Sequence, residues 1–224
     1  MTTTKRLTLK PTVAPRLPSA TPVYDQVMLN EENNILRLYF AQLDNFTQSL
    51  IASNGGRFLS APYGAFQDST TQTAVPNTAT AMKLNTLDFA NEVYISGGTK
   101  IRVNNAGIYN LQWSAQFENT DNVSHDVSVW LRQGNDGGSS VDITGSCGVV
   151  GLPARKTPTD FFHSVIGWNY FVSLNVDDFI EIYWSTDSTA VTIQGYPAGT
   201  APVRPSTASV VATFSFVSAL PVLQ

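Results

Sequence analysis

The sequence predicts a mainly β protein, a sandwich or barrel, preceded by an extended N-terminal arm and a single α-helix. Three observations predict it. Residues 24–53, YDQVMLNEENNILRLYFAQLDNFTQSLIAS, are the only stretch whose apolar residues repeat with a helical period. From residue 80 onward, short runs with period-two alternation recur between turn residues, the spacing of a sandwich or barrel. Ahead of the helical stretch, Pro11, Pro15, Pro18 and Pro22 recur too often for a helix and too densely for a central strand. The chain is accordingly divided into an arm (1–24), a helix (25–54), a linker with a first strand (55–79) and a β head (80–224).

The arm carries Lys5, Arg6, Lys10 and Arg16 and no acid. Four cations against a chain net charge of −4 leave the remainder at −8. A basic arm on an acidic body suits an acidic groove on a partner protein, so the arm is read as an anchor. Four charges without interleaved aromatic residues argue against nucleic acid. Fully stretched, 24 residues reach about 80 Å, enough to cross to a neighbouring subunit.

In the helix, Leu36, Tyr39, Leu43, Phe46 and Leu50 are spaced by three, four, three and four residues, the a/d seam of a helix that packs against copies of itself. Ile35 and Phe40 widen that face, which suits three helices around an axis or docking on a larger body. Asn30 is expected to cap the start, with Glu31 and Glu32 in the first turn and Gly55-Gly56 at the far end. A helix from Asn30 to Ser53 is about 36 Å long. Glu32 occupies a seam position and is expected to mark where gathered helices end. Packing on its own domain is the competing reading of the same face.

After the helix, Gly55, Gly56, Pro62, Gly64 and Pro76 punctuate a linker. Strands are expected at Thr80–Leu84, Glu92–Ile95, Lys100–Val103, Gly107–Glu118, Asp126–Arg132, Val141–Gly145, Phe161–Asn175, Asp178–Ser185, Ala190–Gln194 and Ser209–Val217. In YNLQWSAQF, Tyr109, Leu111, Trp113, Ala115 and Phe117 share one face and the intervening polar residues the other. Val127, Val129 and Leu131, and likewise Ile180, Ile182 and Trp184, repeat the pattern. Phe161–Phe171 has large residues in both phases, which predicts burial on both sides, by core and by a subunit neighbour.

Composition narrows the function. Hydrophobic residues make up 42% and aromatic residues 11%, which excludes a disordered chain, while charged residues are only 13%. Cys147 is the single cysteine, so neither an intrachain disulfide nor a cysteine-based zinc site can form. No apolar run approaches the length of a membrane span, and the N-terminus lacks the apolar centre of a secretory signal; no membrane insertion is expected, and any exit from a cell would be by assembly or lysis.

The run KIRVNNAGIYNLQWSAQFEN resembles the complement globular head and tumour-necrosis-factor-like jelly rolls, in which a strand ends at a small-Gly-x-Tyr turn before a long alternating strand; Ala106, Gly107 and Tyr109 hold those places. DVSVWLRQGN is similar to their next strand and tight turn. YFVSLNVDDFIEIYWS is similar to their strand-turn-strand, with Asp177-Asp178 at the turn, and Phe214-Ser215-Phe216 to the closing strand. A narrower resemblance, resting on NNILRLYFAQLDNF followed by PYGAFQDSTTQTA, is to structural proteins of tailed bacteriophages infecting marine bacteria such as cyanobacteria. These resemblances imply a jelly-roll head, a homotrimer with the helices gathered below three heads, and a place in a tail fibre, knob or related appendage.

Chemistry for catalysis is thin. His125 lies in the polar turn ENTDNVSHD and reads as a solvated loop residue; His163, in FFHSVIGWNYF, reads as a hydrogen-bonded core or interface histidine. A closed polar pocket around His163 would revive an enzyme. Cys147 in TGSCGVVG reads as a buried structural thiol, since no strand-to-helix elbow surrounds it. Glu118, Asp121, Asp126 and Asp136 could gather to bind calcium, but no stretch meets the EF-hand pattern and solvated turns are the better reading. QGNDGGSS reads as a hairpin turn. Recognition by exposed loops is the better-supported activity, with Trp130, Asp136 and Tyr196 as candidates to contact a host surface glycan; packing against an adjacent subunit competes for the two aromatics.

The expectation is therefore a non-enzymatic virion structural protein needing no cofactor, made in the host cytoplasm and placed on the tail or capsid surface. It would be a trimeric short fibre or knob, anchored to other virion proteins by its arm. A capsid-surface decoration protein and a soluble carbohydrate-binding module are the alternatives.

Overall fold

A computed structural model describes residues 13–19, 22–51, 61–135, 137–138 and 140–220. The chain divides into two units, Met1–Ser60 and Ala61–Gln224.

In the first unit, α1 (Gln26–Ile51) contains the heptad segment. It starts one turn before Asn30 because Asp25 is the cap. The Asp25 Oδ1 accepts from the backbone N–H of Val27 at 2.9 Å and of Met28 at 3.4 Å, and its carbonyl accepts from Leu29 N–H at 3.1 Å. The expected Asn30 cap is thus corrected, and Glu32 lies inside the helix rather than at its edge. Glutamate is a good helix former, so a polar seam position interrupts the apolar stripe without interrupting the backbone. No described side chain of α1 is buried, including Leu36, Tyr39, Leu43 and Phe46. The side chain of Leu50 and the Gly55-Gly56 stop lie outside the described residues, as do Lys5, Arg6 and Lys10; Arg16 is exposed in a segment without regular secondary structure.

The second unit is built of strands. In chain order they are β1 (Tyr63–Asp68), β2 (Gln72–Thr73), β3 (Thr80–Ala81), β4 (Thr86–Asn91), β5 (Val93–Ser96), β6 (Lys100–Val103), β7 (Gly107–Asn119) and β8 (His125–Gly134). There follow β9 (Val141–Asp142), β10 (Gly148–Leu152), β11 (Phe162–Leu174), β12 (Phe179–Thr186), β13 (Val191–Ile193), β14 (Gly199–Thr200), β15 (Val203–Arg204) and β16 (Val210–Ser218).

Eight of these carry the architecture. β1, β16, β7 and β11 are successive antiparallel neighbours in one sheet, and β6, β12, β8 and β10 in the other. Numbered one to eight along the chain, the sheets read 1-8-3-6 and 2-7-4-5, the strand order of a jelly roll. The expected fold class, a mainly β jelly-roll sandwich after one helix, is what the chain adopts.

The alternation read in the sequence places the core. Tyr109, Leu111, Trp113, Ala115 and Phe117 of β7 are buried against Val127, Val129 and Leu131 of β8 and Ile180, Ile182 and Trp184 of β12. Trp184 meets Phe117 edge-on at 5.7 Å, and Tyr109 stacks on Phe214 at 4.9 Å. Each such fully buried large side chain contributes about 1.5–3 kcal/mol by leaving water. The small-Gly-x-Tyr turn has a concrete cause as well: the Tyr109 hydroxyl donates to the Asn105 carbonyl at 2.7 Å, tying the strand to the turn before it.

Of the eight, β10 lies outside the expected strands, and β1 is the first strand expected, without bounds, between residues 55 and 79. β1 pairs with both β16 and β4, and Phe66 is in the core, so YGAFQD belongs to the sandwich. A bulge between Ala65 and Phe66 breaks the pairing register, and with it the period-two signal. In β10, Gly148 stands where a Cβ would come within 2.2 Å of the Trp168 ring, so a residue with low strand propensity is required by packing.

Candidate functional site

One end of β7 collects the head's most closely linked polar side chains. Glu118 is opposite His163 of β11 on one flank and Thr192 of β13 on the other, so all three project from the same face of the sheet, away from the core. Three residues after β13, Tyr196 is clamped to Thr207 by a reciprocal pair of backbone hydrogen bonds, 3.0 Å from Tyr196 N–H and 2.8 Å from Thr207 N–H. At Gly195 an added Cβ would come within 2.6 Å of the Ser69 carbonyl oxygen, so the chain passes close against its neighbour there. These constraints bring the Tyr196 hydroxyl to Glu118.

The Tyr196 hydroxyl donates to Glu118 Oε2 and lies 2.9 Å from His163 Nδ1. His163 Nδ1 is also 3.4 Å from Glu118 Oε2. The two rings meet edge-to-face at 5.6 Å. Glu118 is buried, whereas the His163 side chain is 45% exposed. Burial, and then the hydrogen bond to Glu118, push the Tyr196 hydroxyl well above its ordinary titration range. Beside this trio, Gln116, His163, Tyr196, Arg204 and Thr207 line a cavity of about 330 Å³. It is an open cleft lined by an imidazole, a phenol, an amide, a hydroxyl and a guanidinium.

Trp130 and Tyr196 have therefore separated. Trp130 projects from the outward face of the other sheet, where its ring stacks on Tyr183 at 5.8 Å and its indole N–H donates to Asp142 at 2.9 Å. Arg132 donates to both Asp142 oxygens, at 2.7 and 3.2 Å, and lies 4.0 Å over the Tyr183 ring. Arg132 accordingly holds the Asp142 carboxyl below the usual carboxylate range. Trp130 is committed to its own sheet by these contacts. Asp136 lies outside the described residues.

Two sequence expectations are corrected here. His125 is not a solvated loop residue: its side chain is 11% exposed, with Nδ1 2.9 Å from Asp187 and Nε2 3.0 Å from Asp121. It opens β8 and ties the β7–β8 turn to the β12–β13 turn, a proximity that only the fold creates. The His125 hydrogen bond is the largest cause of the lowered Asp121 titration. Cys147 is exposed rather than buried. The inward position belongs to Ser146, whose hydroxyl donates to the Ile143 carbonyl at 2.7 Å and accepts from Leu131 N–H at 3.0 Å. The turn at Asp177-Asp178 is as expected, with Asp177 at φ +65° and Asp178 accepting from Asn175 N–H at 2.8 Å. Among the described residues, no group of three His, Cys, Asp or Glu side chains is placed to hold a metal ion, and no helix is long and apolar enough to cross a membrane.

A second surface lies on the same outward face as Glu118. Below Glu118 and His163, the outward positions of β7, β11 and β16 are Ile108, Asn110, Gln112, Ser114, Gln116, Val165, Gly167, Asn169, Phe171, Ser173, Val211, Thr213 and Ser215, none of them charged. Val165 and Phe171 are 67% and 57% exposed within the single chain.

Sequence reasoning isolated Tyr196 but not Gln116, Glu118, His163, Arg204 and Thr207 as its companions. Only the position of Gln116 on the wet phase of β7 was a signal, and the β7–β11 and β7–β13 registers supply the rest. No protein-family model matches the chain, and no curated protein matches it. Among solved structures, the crystal structure of murine APRIL at pH 5.0 is similar over 70% of this chain and 99% of that chain, at 10% identity and a TM-score of 0.43.

Proposed function

We propose that the chain is a non-enzymatic structural protein of a tailed-phage virion: a homotrimeric short fibre or knob, held to the particle by its basic arm and projecting a jelly-roll head. The observation that carries the assembly part is the uncovered apolar seam of α1. Leu36, Tyr39, Leu43 and Phe46 run along a 26-residue helix on which no described side chain is buried. An amphipathic helix draws its stability from tertiary burial of such a face, so one whose seam is not buried calls for a partner. The uncharged outward face of β7, β11 and β16, with Val165 and Phe171 exposed, supports a second contact between copies at the heads. That is the neighbour expected for a strand with large residues in both phases.

Placement on a phage rests on the resemblance of NNILRLYFAQLDNF and PYGAFQDSTTQTA to phage structural chains. Light scattering on the full chain tests the assembly, with a mass three times that of the 24.3 kDa chain expected. A chain that remains monomeric at high concentration refutes the trimer and leaves a soluble carbohydrate-binding module as the better reading. Immunogold labelling of intact particles tests the location; gold confined to the capsid would make it a decoration protein.

A further inference from the structure

We propose that the cleft beside Tyr196 is a binding site for a sugar acid, a pyranose bearing a carboxylate. The proposal goes beyond the assembly reading by giving the projecting head a ligand. Arg204 lines the cleft. Among the described residues it makes only long hydrogen bonds, from Nη1 to the Pro197 carbonyl at 3.4 Å and to Thr207 Oγ1 at 3.5 Å, and no carboxylate pairs with it. Its reach has a structural cause. Arg204 is paired with Gly199 across the β14–β15 ribbon, and a Cβ at Gly199 would come within 2.8 Å of the Arg204 Cγ and Nε atoms. The absent side chain leaves room for the arginine stem to lie across the ribbon. A guanidinium fork on a formed wall is suited to a carboxylate, which it can grip through two parallel N–H donors.

The other wall supplies the opposite polarity. The single proton of the Tyr196 hydroxyl goes to Glu118, so towards His163 the oxygen can only accept. His163 Nδ1 therefore carries hydrogen, and in the neutral ring Nε2 is left as an acceptor on a half-exposed side chain. The Gln116 amide and Thr207 hydroxyl add neutral polar groups to the lining. A ligand that satisfies this cleft must bring a carboxylate to Arg204 and a hydroxyl donor to His163. The volume of about 330 Å³ is at the small end of ligand sites, the scale of one sugar ring. Sugar acids combine all three requirements.

The test is calorimetric titration of the full chain with D-glucuronate, D-glucose and acetate. D-glucuronate should bind at least about tenfold more tightly than D-glucose, which lacks only the carboxylate, a difference of about 1.4 kcal/mol. It should also bind more tightly than acetate, which lacks the hydroxyls. Arg204→Gln, at an exposed position, should keep the melting temperature and bring D-glucuronate down to the level of D-glucose. His163→Ala should weaken both sugars while preserving their ratio. Absence of D-glucuronate binding, equal affinity for the two sugars, acetate binding as tightly as D-glucuronate, or a D-glucuronate affinity that survives Arg204→Gln would each overturn the proposal. Light scattering and particle labelling do not depend on this cleft, so failure here would leave the assembly reading standing, and a monomeric chain could still bind the sugar.

Discussion

Phe216 occupies the space that a side chain at Gly107 would need. A Cβ there would come within 2.5 Å of the Phe216 ring and 2.9 Å of the Ser218 carbonyl oxygen. The same ring meets Tyr109 edge-on at 5.6 Å, so the start of β7 and the end of β16 are fitted around the missing side chain. Gly107→Ala is expected to destabilise the head by about 1–3 kcal/mol through overpacking, measured by urea unfolding. Combining it with Phe216→Ala should relieve the ring clash but not the backbone one. A neutral Gly107→Ala would refute the account.

Tyr196→Phe removes the hydroxyl that Glu118 accepts from, leaving a buried carboxylate short of a donor. The expected loss is about 1–3 kcal/mol at neutral pH. In the wild-type protein, ultraviolet titration of the phenols should show Tyr196 ionising above the ordinary tyrosine range, because burial and Glu118 favour its neutral form. A raised value means that this contribution is present below pH about 10 and fades as pH rises beyond it. A Tyr196 that titrates with exposed phenols would contradict the geometry.

Acid should act through Asp121 and Asp142. His125 is the largest cause of the lowered Asp121 titration, and Arg132 of the lowered Asp142 titration. A depressed carboxyl stabilises the fold while ionised, so its contribution is complete above the unfolded value of about 3.9 and is lost as pH falls through the lower folded value. Both groups are solvent-screened, so each effect is small. Unfolding midpoints should decline below pH about 4, and Asp142→Asn should flatten part of that decline.

The seam of α1 predicts that Leu43→Asp or Phe46→Asp shifts the full chain towards monomer in light scattering, with the head still folded by circular dichroism. Exposed Leu38→Asp, off the seam, should leave the mass unchanged. If all three behave alike, the seam is not where copies meet.

Cys147 should react with a thiol reagent in the native protein at the rate of an accessible cysteine, without prior denaturation. Protection until unfolding would restore the buried thiol expected from its glycine-flanked setting.

A helix followed by a β-rich region, and which face of β7, β8 and β12 would be dry, were legible in the residues alone. Those features are periodic, and a period of two or of three to four residues is imposed by the backbone wherever the strand or helix ends up. The signal was weaker where packing broke it: β1 loses its alternation at a bulge, so its bounds within 55–79 were not legible, and β10 begins at Gly148, over which Trp168 lies. The sequence misplaced the helix start because Asp25 and Asn30 are both competent caps, and which one acts depends on the path of the chain into the helix. Only the tertiary structure decided the chemistry. Glu118, His163 and the Tyr196–Arg204 segment are far apart in sequence and meet because β11 and β13 flank β7 in one register and the β14–β15 ribbon follows β13. The same holds for His125, whose two carboxylates come from different turns. Long-range register is a property of the whole sandwich, which no local run of residues encodes.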